Sequence, residues 1–142
     1  MGQLTMTTDE REAFLAEMHI GVLSVERPDG PPLATPVWYQ YAPGGTVEIS
    51  TESQTQKAGL LRAANRATLT VQREAYPYAY VTIDGPVTFG QATDELRTAI
   101  AVRYLGEELG STYVANAGHD DDLLIQIRPE RWYSIDFSKL EQ

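Results

Sequence analysis

No cysteine occurs among the 142 residues. That removes disulfides, thiolate catalysis and every zinc or iron–sulfur site built on Cys, and it fits a reducing compartment. Cations are scarce as well: 11 Lys and Arg stand against 20 Asp and Glu, a formal net charge of -9. Nucleic-acid binding needs basic surface to displace counterions, so this balance argues against a nucleic-acid partner. Apolar runs are short, and nothing approaches the ~20 residues of a transmembrane helix. The opening stretch MGQLTMTTDEREAF has no basic segment running into an apolar one, so the expectation is a cytoplasmic protein without membrane contact. Two catalytic signatures are also missing: a Walker-type glycine loop for nucleoside triphosphates and a G-x-S-x-G elbow for a serine nucleophile.

Tyrosine, by contrast, is plentiful. Eight Tyr and two Trp are not interleaved with Lys and Arg, so they suit a core or a ligand ring better than nucleic-acid bases. The length is that of one domain, 1–142, able to bury about two thirds of its unfolded surface. Thr8 or Asp9 caps a first helix with Phe14, Leu15 and Met18 on one face, and HIGVLSV follows as a β-branched strand. After the turn Pro28-Asp29-Gly30, LATPVWYQY alternates: Leu33, Thr35, Val37, Tyr39 and Tyr41 on one side, Ala34, Pro36, Trp38 and Gln40 on the other. Pro36 cannot donate to a ladder, which calls for an edge or a bulge there. TVEIST forms a third strand. Leu60, Leu61 and Ala64 face inward from the next helix, which Asn65 ends. ATLTVQR is a fourth strand, and YAYVTIDG with PVTFGQA a fifth, kinked at Gly85-Pro86. Thr93 starts a longer helix with Leu96, Ile100, Tyr104 and Leu105 as its stripe, ended by Gly106 or Gly110. LLIQIRPERWYSIDF closes the chain as one strand interrupted at Arg128-Pro129. About six strands in meandering order with helices between them, and no βαβ rhythm, imply a mainly β (α+β) fold: a small antiparallel barrel with flanking helices.

The stretch ISTESQTQKAGLL raises an electrostatic question. Ser53 and Gln56 have the S-x-x-Q spacing of a capping box, so Lys57 falls in the first turn of a helix. A cation there opposes the helix dipole at a cost of roughly 0.3–1 kcal/mol. On these residues alone, Lys57 is either simply solvated or faces an anion such as phosphate, held with the hydroxyls of Ser50 and Thr51 and the amide of Gln56.

The order of these elements resembles the pyridoxamine 5'-phosphate oxidase-like split barrels, and within them the flavin and deazaflavin oxidoreductases, many of which use coenzyme F420. The resemblance covers roughly residues 8 to 137. It is carried by TPVW (Thr35 to Trp38), ISTESQTQKAGLL (Ile49 to Leu61), NRATLTV (Asn65 to Val71) and VTIDGPV (Val81 to Val87). It implies a six-stranded split barrel and a homodimer with its cofactor in a cleft between subunits. Ser50, Thr51, Gln56 and Lys57 would surround the cofactor phosphate, while Thr35, Pro36, Val37 and Trp38 would run along the ring. FMN-using relatives carry an Arg on the second strand that reaches the phosphate. LATPVWYQY has no basic residue, which favours coenzyme F420, with FMN the alternative. The implied activity is hydride transfer between the deazaflavin and a small conjugated substrate; a non-catalytic cofactor binder is the other reading.

Five further features carry a structural or a functional reading. Tyr76, Tyr78 and Tyr80 alternate in AYPYAYV, which places three rings on one sheet face, either for packing or with Tyr78 or Tyr80 in the partner's cleft as a proton donor. Trp38 and Trp132 pack on a ring or fill the core. GHDDD at Gly118 to Asp122 lacks ligand spacing, so no metal is expected there and its charges read as solvated. His19 reads as structural, and the loop from Tyr113 to His119 as an influence on substrate choice.

Overall fold

The computed structural model describes residues 2–117 and 121–141. Helix α1 spans Thr8–Ala16, and strands β1 (Gly21–Arg27), β2 (Gly30–Val37) and β3 (Val47–Glu52) follow. Helix α2 (Gln56–Ala64) leads into β4 (Arg66–Arg73) and the long β5 (Ala79–Gln91). Helices α3 (Asp94–Leu105) and α4 (Glu107–Asn116) precede β6 (Asp122–Ile127) and β7 (Arg131–Asp136), with short 3-10 turns at Gly2–Leu4 and Phe137–Glu141. The strand order is β2-β1-β4-β5-β6-β3 with β7 also on β5, and all pairings are antiparallel. The sheet curls until its two ends touch at one bridge, where Gln40 and Glu48 exchange backbone hydrogen bonds of 3.0 and 2.9 Å. This is the mainly β split-barrel architecture expected from the sequence.

Its concave side is filled by the alternate residues of every strand. Leu23 and Val25, Ile49, Leu69 and Val71, Val81 and Ile83, Ile125 and Ile127 are all buried, and Leu15 and Leu61 cover them from the helices. On β2 the inward set is Leu33, Thr35 and Val37, continued past the strand by the fully buried Tyr39 and by Tyr41. Pro36 causes no loss because β2 is an edge strand: its partner is Val22 on one side, and the other side has no ladder to complete.

The barrel has seven strands where six were expected, because the interruption at Arg128-Pro129 separates two strands rather than kinking one. Residues Val87 to Gln91 of β5 pair with β6, whereas Ala79 to Asp84 pair with β7 and β4. The change of partner falls at Gly85-Pro86. Here the crossing chain lies so close that a Cβ on Gly85 would sit 1.7 Å from the Arg128 carbonyl oxygen. Hydrogen bonds from Arg128 N to Pro86 O (3.1 Å) and from Glu130 N to Asp84 O (2.8 Å) hold the two kinks together.

Helix ends differ from expectation in three places. Thr7, not Thr8 or Asp9, caps α1, in a full capping box with Glu10 (3.2 and 2.7 Å). The helix stops at Ala16 because distant side chains take its last carbonyls: His19 that of Phe14, Tyr39 that of Leu15, Arg103 that of Ala16. Met18 is therefore outside the helix and 58% exposed rather than on its apolar face. In α2 the cap is Thr55, whose hydroxyl accepts from Ala58 N, so the Ser53–Gln56 box does not form; Ser53 donates to Asp121 instead. Asn65 ends α2 in the left-handed conformation (φ 57°). Gly106 (φ 87°) ends α3, yet the chain restarts as α4 and folds back so closely that a Cβ on Gly110 would meet the Val102 backbone at 2.7 Å. Among the described residues no helix is long and apolar enough to cross a membrane.

Gly85→Ala should destabilise the protein by at least about 3 kcal/mol, the upper end of overpacking costs, because the obstacle is a backbone carbonyl that cannot rotate away. Gly59→Ala, in α2 with open space around it, should instead stabilise by about 0.5–1 kcal/mol. Urea unfolding of both variants checks the pair; a tolerated Gly85→Ala would refute the close crossing.

Candidate functional site

Beyond Val37 the chain leaves the ladder, and Trp38 turns its indole to α3 and α4. It stacks on Tyr104 at 5.0 Å between centroids with 9° between planes, and meets Tyr113 at 5.8 Å with a 52° tilt. The Tyr104 hydroxyl fixes this arrangement: it donates to His19 O (2.6 Å), accepts from Tyr39 N (3.1 Å) and lies 3.2 Å from Tyr39 O. The aromatic edge and the helices thus border a cavity of about 210 Å³, also lined by Ser50 of β3, Lys57 of α2, Arg97 of α3 and Asp122 of β6.

Five of the eight residues expected at a cofactor line this cavity together: Pro36, Val37, Trp38, Ser50 and Lys57. The other three do not. Thr35 points to the barrel side of β2, its hydroxyl 3.4 Å from Pro36 O. Thr51 follows Ser50 on β3 and so faces the opposite side, paired with Leu123. Gln56 is exposed at the start of α2. Tyr78 and Tyr80 do not line it either. The expectation that Tyr76, Tyr78 and Tyr80 share a sheet face fails because β5 begins at Ala79; Tyr76 and Tyr78 precede it, their rings edge-on at 5.9 Å. Trp132 packs in the core against Tyr41, with the Arg11 guanidinium 4.7 Å from its ring. His19 is structural: it stacks on Phe14, with ring nitrogens 2.9 Å from Phe14 O and 3.2 Å from Gln72 O.

Two charged residues of the cavity were not foreseen. Arg97 lies one turn before Ile100 and Ala101, so a cation in an apolar helix row was the available signal. Its side chain is only 11% exposed; one terminal nitrogen donates to Ala92 O (2.9 Å), the other pairs with the Asp94 carboxylate, and its buried Nε finds no acceptor among the described residues. Asp122 belongs in sequence to a run that suggests solvated charge, yet it opens β6 and is 6% exposed, accepting a long 3.4 Å hydrogen bond from Ser50. Burial is also what lowers the Lys57 pKa below its ordinary value. Gly118, His119 and Asp120 of the acidic run lie outside the described residues, and Tyr113, assigned to a loop from sequence, is on α4. Among the described residues, no three His, Cys, Asp or Glu are grouped to hold a metal ion.

A larger groove of about 820 Å³ runs along the open sheet face, but its charges are already matched. Arg66 pairs with Glu26 (2.5 Å), Arg131 with Asp84 (3.3 Å), and Thr68 donates to Asp84 (2.7 Å). The smaller cavity is lined by the side chains of Lys57, Arg97 and Ser50, a set of donors that suits a phosphate. Its volume is below the roughly 300 Å³ at which drug-sized pockets begin, so it fits the anionic end of a nucleotide-like cofactor rather than the whole molecule.

The family model described as "Pyridoxamine 5'-phosphate oxidase" matches residues 7–136. A conserved hypothetical protein from Mycobacterium tuberculosis shares the fold at a TM-score of 0.83 and 22% identity, covering 100% of this chain and 92% of that one. An F420 reductase aligns at 0.70 and 22% identity over 86% of this chain and 94% of its own. A FAD-binding protein from Mesorhizobium loti aligns at 0.69 and 19% identity, over 92% and 94%. No curated protein matches.

Tyr104→Phe should keep the stack on Trp38 yet cost about 1–3 kcal/mol, the penalty for leaving the Tyr39 N–H and the His19 carbonyl without their partner. A lower urea midpoint at unchanged slope is the expected result; an unchanged midpoint would show that the hydroxyl does not pin α3.

Proposed function

The chain belongs to the pyridoxamine 5'-phosphate oxidase family, and from that premise we propose that it is a coenzyme F420-dependent oxidoreductase working as a homodimer in the cytoplasm. The observation that carries the reading is the convergence of Ser50, Lys57 and the Pro36–Trp38 edge on one cavity with a phosphate-binding donor set. The absence of a basic residue from Leu33 to Tyr41 supports the deazaflavin over FMN. When bound, the cofactor supplies hydride chemistry, and the chain supplies position and environment. Lys57 and Ser50 hold the anionic end; Pro36, Val37 and Trp38 present an apolar edge that orients the ring and excludes water. The substrate is a small conjugated acceptor.

The second copy comes from the outer sheet face. Val22, Tyr80 (39% exposed) and Tyr133 (53% exposed) lie there among threonines, an apolar surface that a soluble monomer leaves uncovered at a cost. Tyr78 and Tyr80 lie away from the cavity of their own chain, so any role as proton donor belongs to the cleft completed by the second copy. Sedimentation equilibrium at micromolar concentration should give a dimer; a monomer would remove the shared cleft.

Lys57→Ala should weaken F420 binding by about 10- to 150-fold, the loss of one charge-assisted contact of roughly 1.5–3 kcal/mol. Stability should respond the other way. Burial lowers the Lys57 pKa, so the charged form is disfavoured in the folded apo protein, and that cost is present below the folded pKa and relieved as pH rises through it toward 10.5. At neutral pH the variant should therefore melt at the same temperature or slightly higher. Fluorescence titration with F420 and FMN, alongside apo melting, reads both effects. Wild type should prefer F420 at least tenfold, a gap of about 1.4 kcal/mol; co-purification with stoichiometric FMN would overturn the cofactor choice, and unchanged affinity in Lys57→Ala would overturn the phosphate site.

A further inference from the structure

The chain holds two lysines, Lys57 and Lys139, and the fold treats their ammonium groups in opposite ways. Lys139 is tied to Glu10 at 2.8 Å. Lys57 lines the cavity half-buried, with no hydrogen bond or ion pair to any described residue, whereas Arg97, the other cation of the lining, is engaged by Ala92 O and Asp94. Two effects disfavour the charged form of Lys57. Burial withdraws the ammonium from water and lowers its pKa below the ordinary value, and its place in the first turn of α2, beside the Thr55 cap, sets it against the positive end of the helix dipole. A lysine so placed favours the free amine, the form in which it is a nucleophile. The walls around it are apolar and aromatic, with Pro36, Trp38, Ile100, Tyr113 and Val114 bordering about 210 Å³. Drug-sized pockets begin at roughly 300 Å³, so this space suits one ring with a short substituent.

We propose that Lys57 is a covalent capture site for small uncharged aromatic aldehydes, which it holds as an imine in this cavity. The lone pair of Nζ adds to the carbonyl carbon and forms the C–N bond, while one nitrogen proton passes through solvent to the carbonyl oxygen. That oxygen then leaves as water with the second nitrogen proton, and C=N remains. Amine and aldehyde thus give imine and water, with nothing oxidised or reduced. An aromatic aldehyde suits the site because its C=N is conjugated with the ring, and the ring finds an aromatic edge in Trp38 and Tyr113. The apolar walls also keep out the water that would reverse the reaction. Lys139 meets neither condition: Glu10 stabilises its charge, and it does not line the cavity. The two roles of Lys57 use different protonation states. An anion such as a cofactor phosphate holds the ammonium, whereas an aldehyde takes the free amine, so each role stands without the other.

The test compares the two lysines within one molecule. Whole protein is incubated at pH 8 with benzaldehyde or with formaldehyde, each with cyanoborohydride to reduce the imine to a stable secondary amine, and peptide mass spectrometry reads the labelling of Lys57 and Lys139. With benzaldehyde, Lys57 should be labelled at least about tenfold faster than Lys139. Formaldehyde needs no ring site and should show a smaller preference. In unfolding concentrations of urea, both aldehydes should label the two lysines alike. Benzyl alcohol, which has the ring but no carbonyl, should slow benzaldehyde capture at Lys57 and leave Lys139 unaffected. The proposal is overturned if benzaldehyde labels both lysines of the folded protein at equal rates or if benzyl alcohol does not compete. It is also overturned if formaldehyde shows the same preference, since a freer amine without a ring site would do that. F420 binding is measured on the same preparation: capture at Lys57 without F420 binding would keep this inference and lose the oxidoreductase reading, and F420 binding without capture would do the reverse.

Discussion

The crossing of two kinked chain segments at Gly85 is the constraint from which the architecture follows. Because the Arg128 carbonyl occupies the space of a Cβ there, β5 can turn from β4 and β7 to β6 within two residues, and one strand serves two halves of a curled sheet. The same crossing sends residues 122 to 127 alongside β3, in register from Glu52–Asp122 to Val47–Ile127. That register is what sets Asp122 near Ser50. A backbone contact some distance from the cavity thus determines which charges form its wall.

A second level of order comes from side chains that replace backbone partners. Tyr39, Tyr104, His19 and Arg103 take the carbonyls of residues 14 to 19 and so tie α1, the end of β2 and α3 into one unit. Each bond is modest, of order 1 kcal/mol, but each also satisfies a group whose exposure inside the core would cost more. Burial and the neighbouring Tyr104 push the Tyr39 phenol well above its ordinary pKa, so it stays a neutral donor across the physiological range. Tyr41 is pushed up to about 12 by burial and by its bond to Glu12. These tyrosines are structural, and the Trp38 ring, resting on Tyr104, is held by the same hydrogen-bonded unit.

Much of this was legible in the residue pattern. Alternation in LATPVWYQY correctly separates Tyr39 and Tyr41 from Trp38, Pro36 marks an edge, Asn65 and Thr93 mark helix ends, and Gly85-Pro86 marks the kink. The failures have a common cause: they depend on partners distant in sequence. Nothing local says that α1 will lose its last carbonyls to Arg103, or that Thr55 will outcompete Ser53 as a cap once Asp121 draws the serine away. Alternation aligns Tyr76 and Tyr78 with Tyr80 only inside a strand, and β5 begins at Ala79. A run of aspartates is usually solvated, whereas the burial of Asp122 is set by the pairing of β6 with β3.

Charge distribution gives the cavity its distinctiveness. A protein with a net charge of -9 repels anions at long range, so an anion site must work through local field alone. Most cations are spent on the structure: Arg66, Arg73, Arg97, Arg128, Arg131 and Lys139 each pair with a carboxylate, and Arg103 caps α1. Among the described residues Lys57 makes no ion pair, although it sits at the end of α2 where the helix dipole already supplies positive potential. Placing a desolvated ammonium there adds to the field instead of cancelling it, and Arg97, paired with Asp94, lines the same space from α3. Such a concentration lowers the stability of the empty fold, so an anion that occupies the cavity offsets a cost already present in the protein rather than adding a new constraint to it.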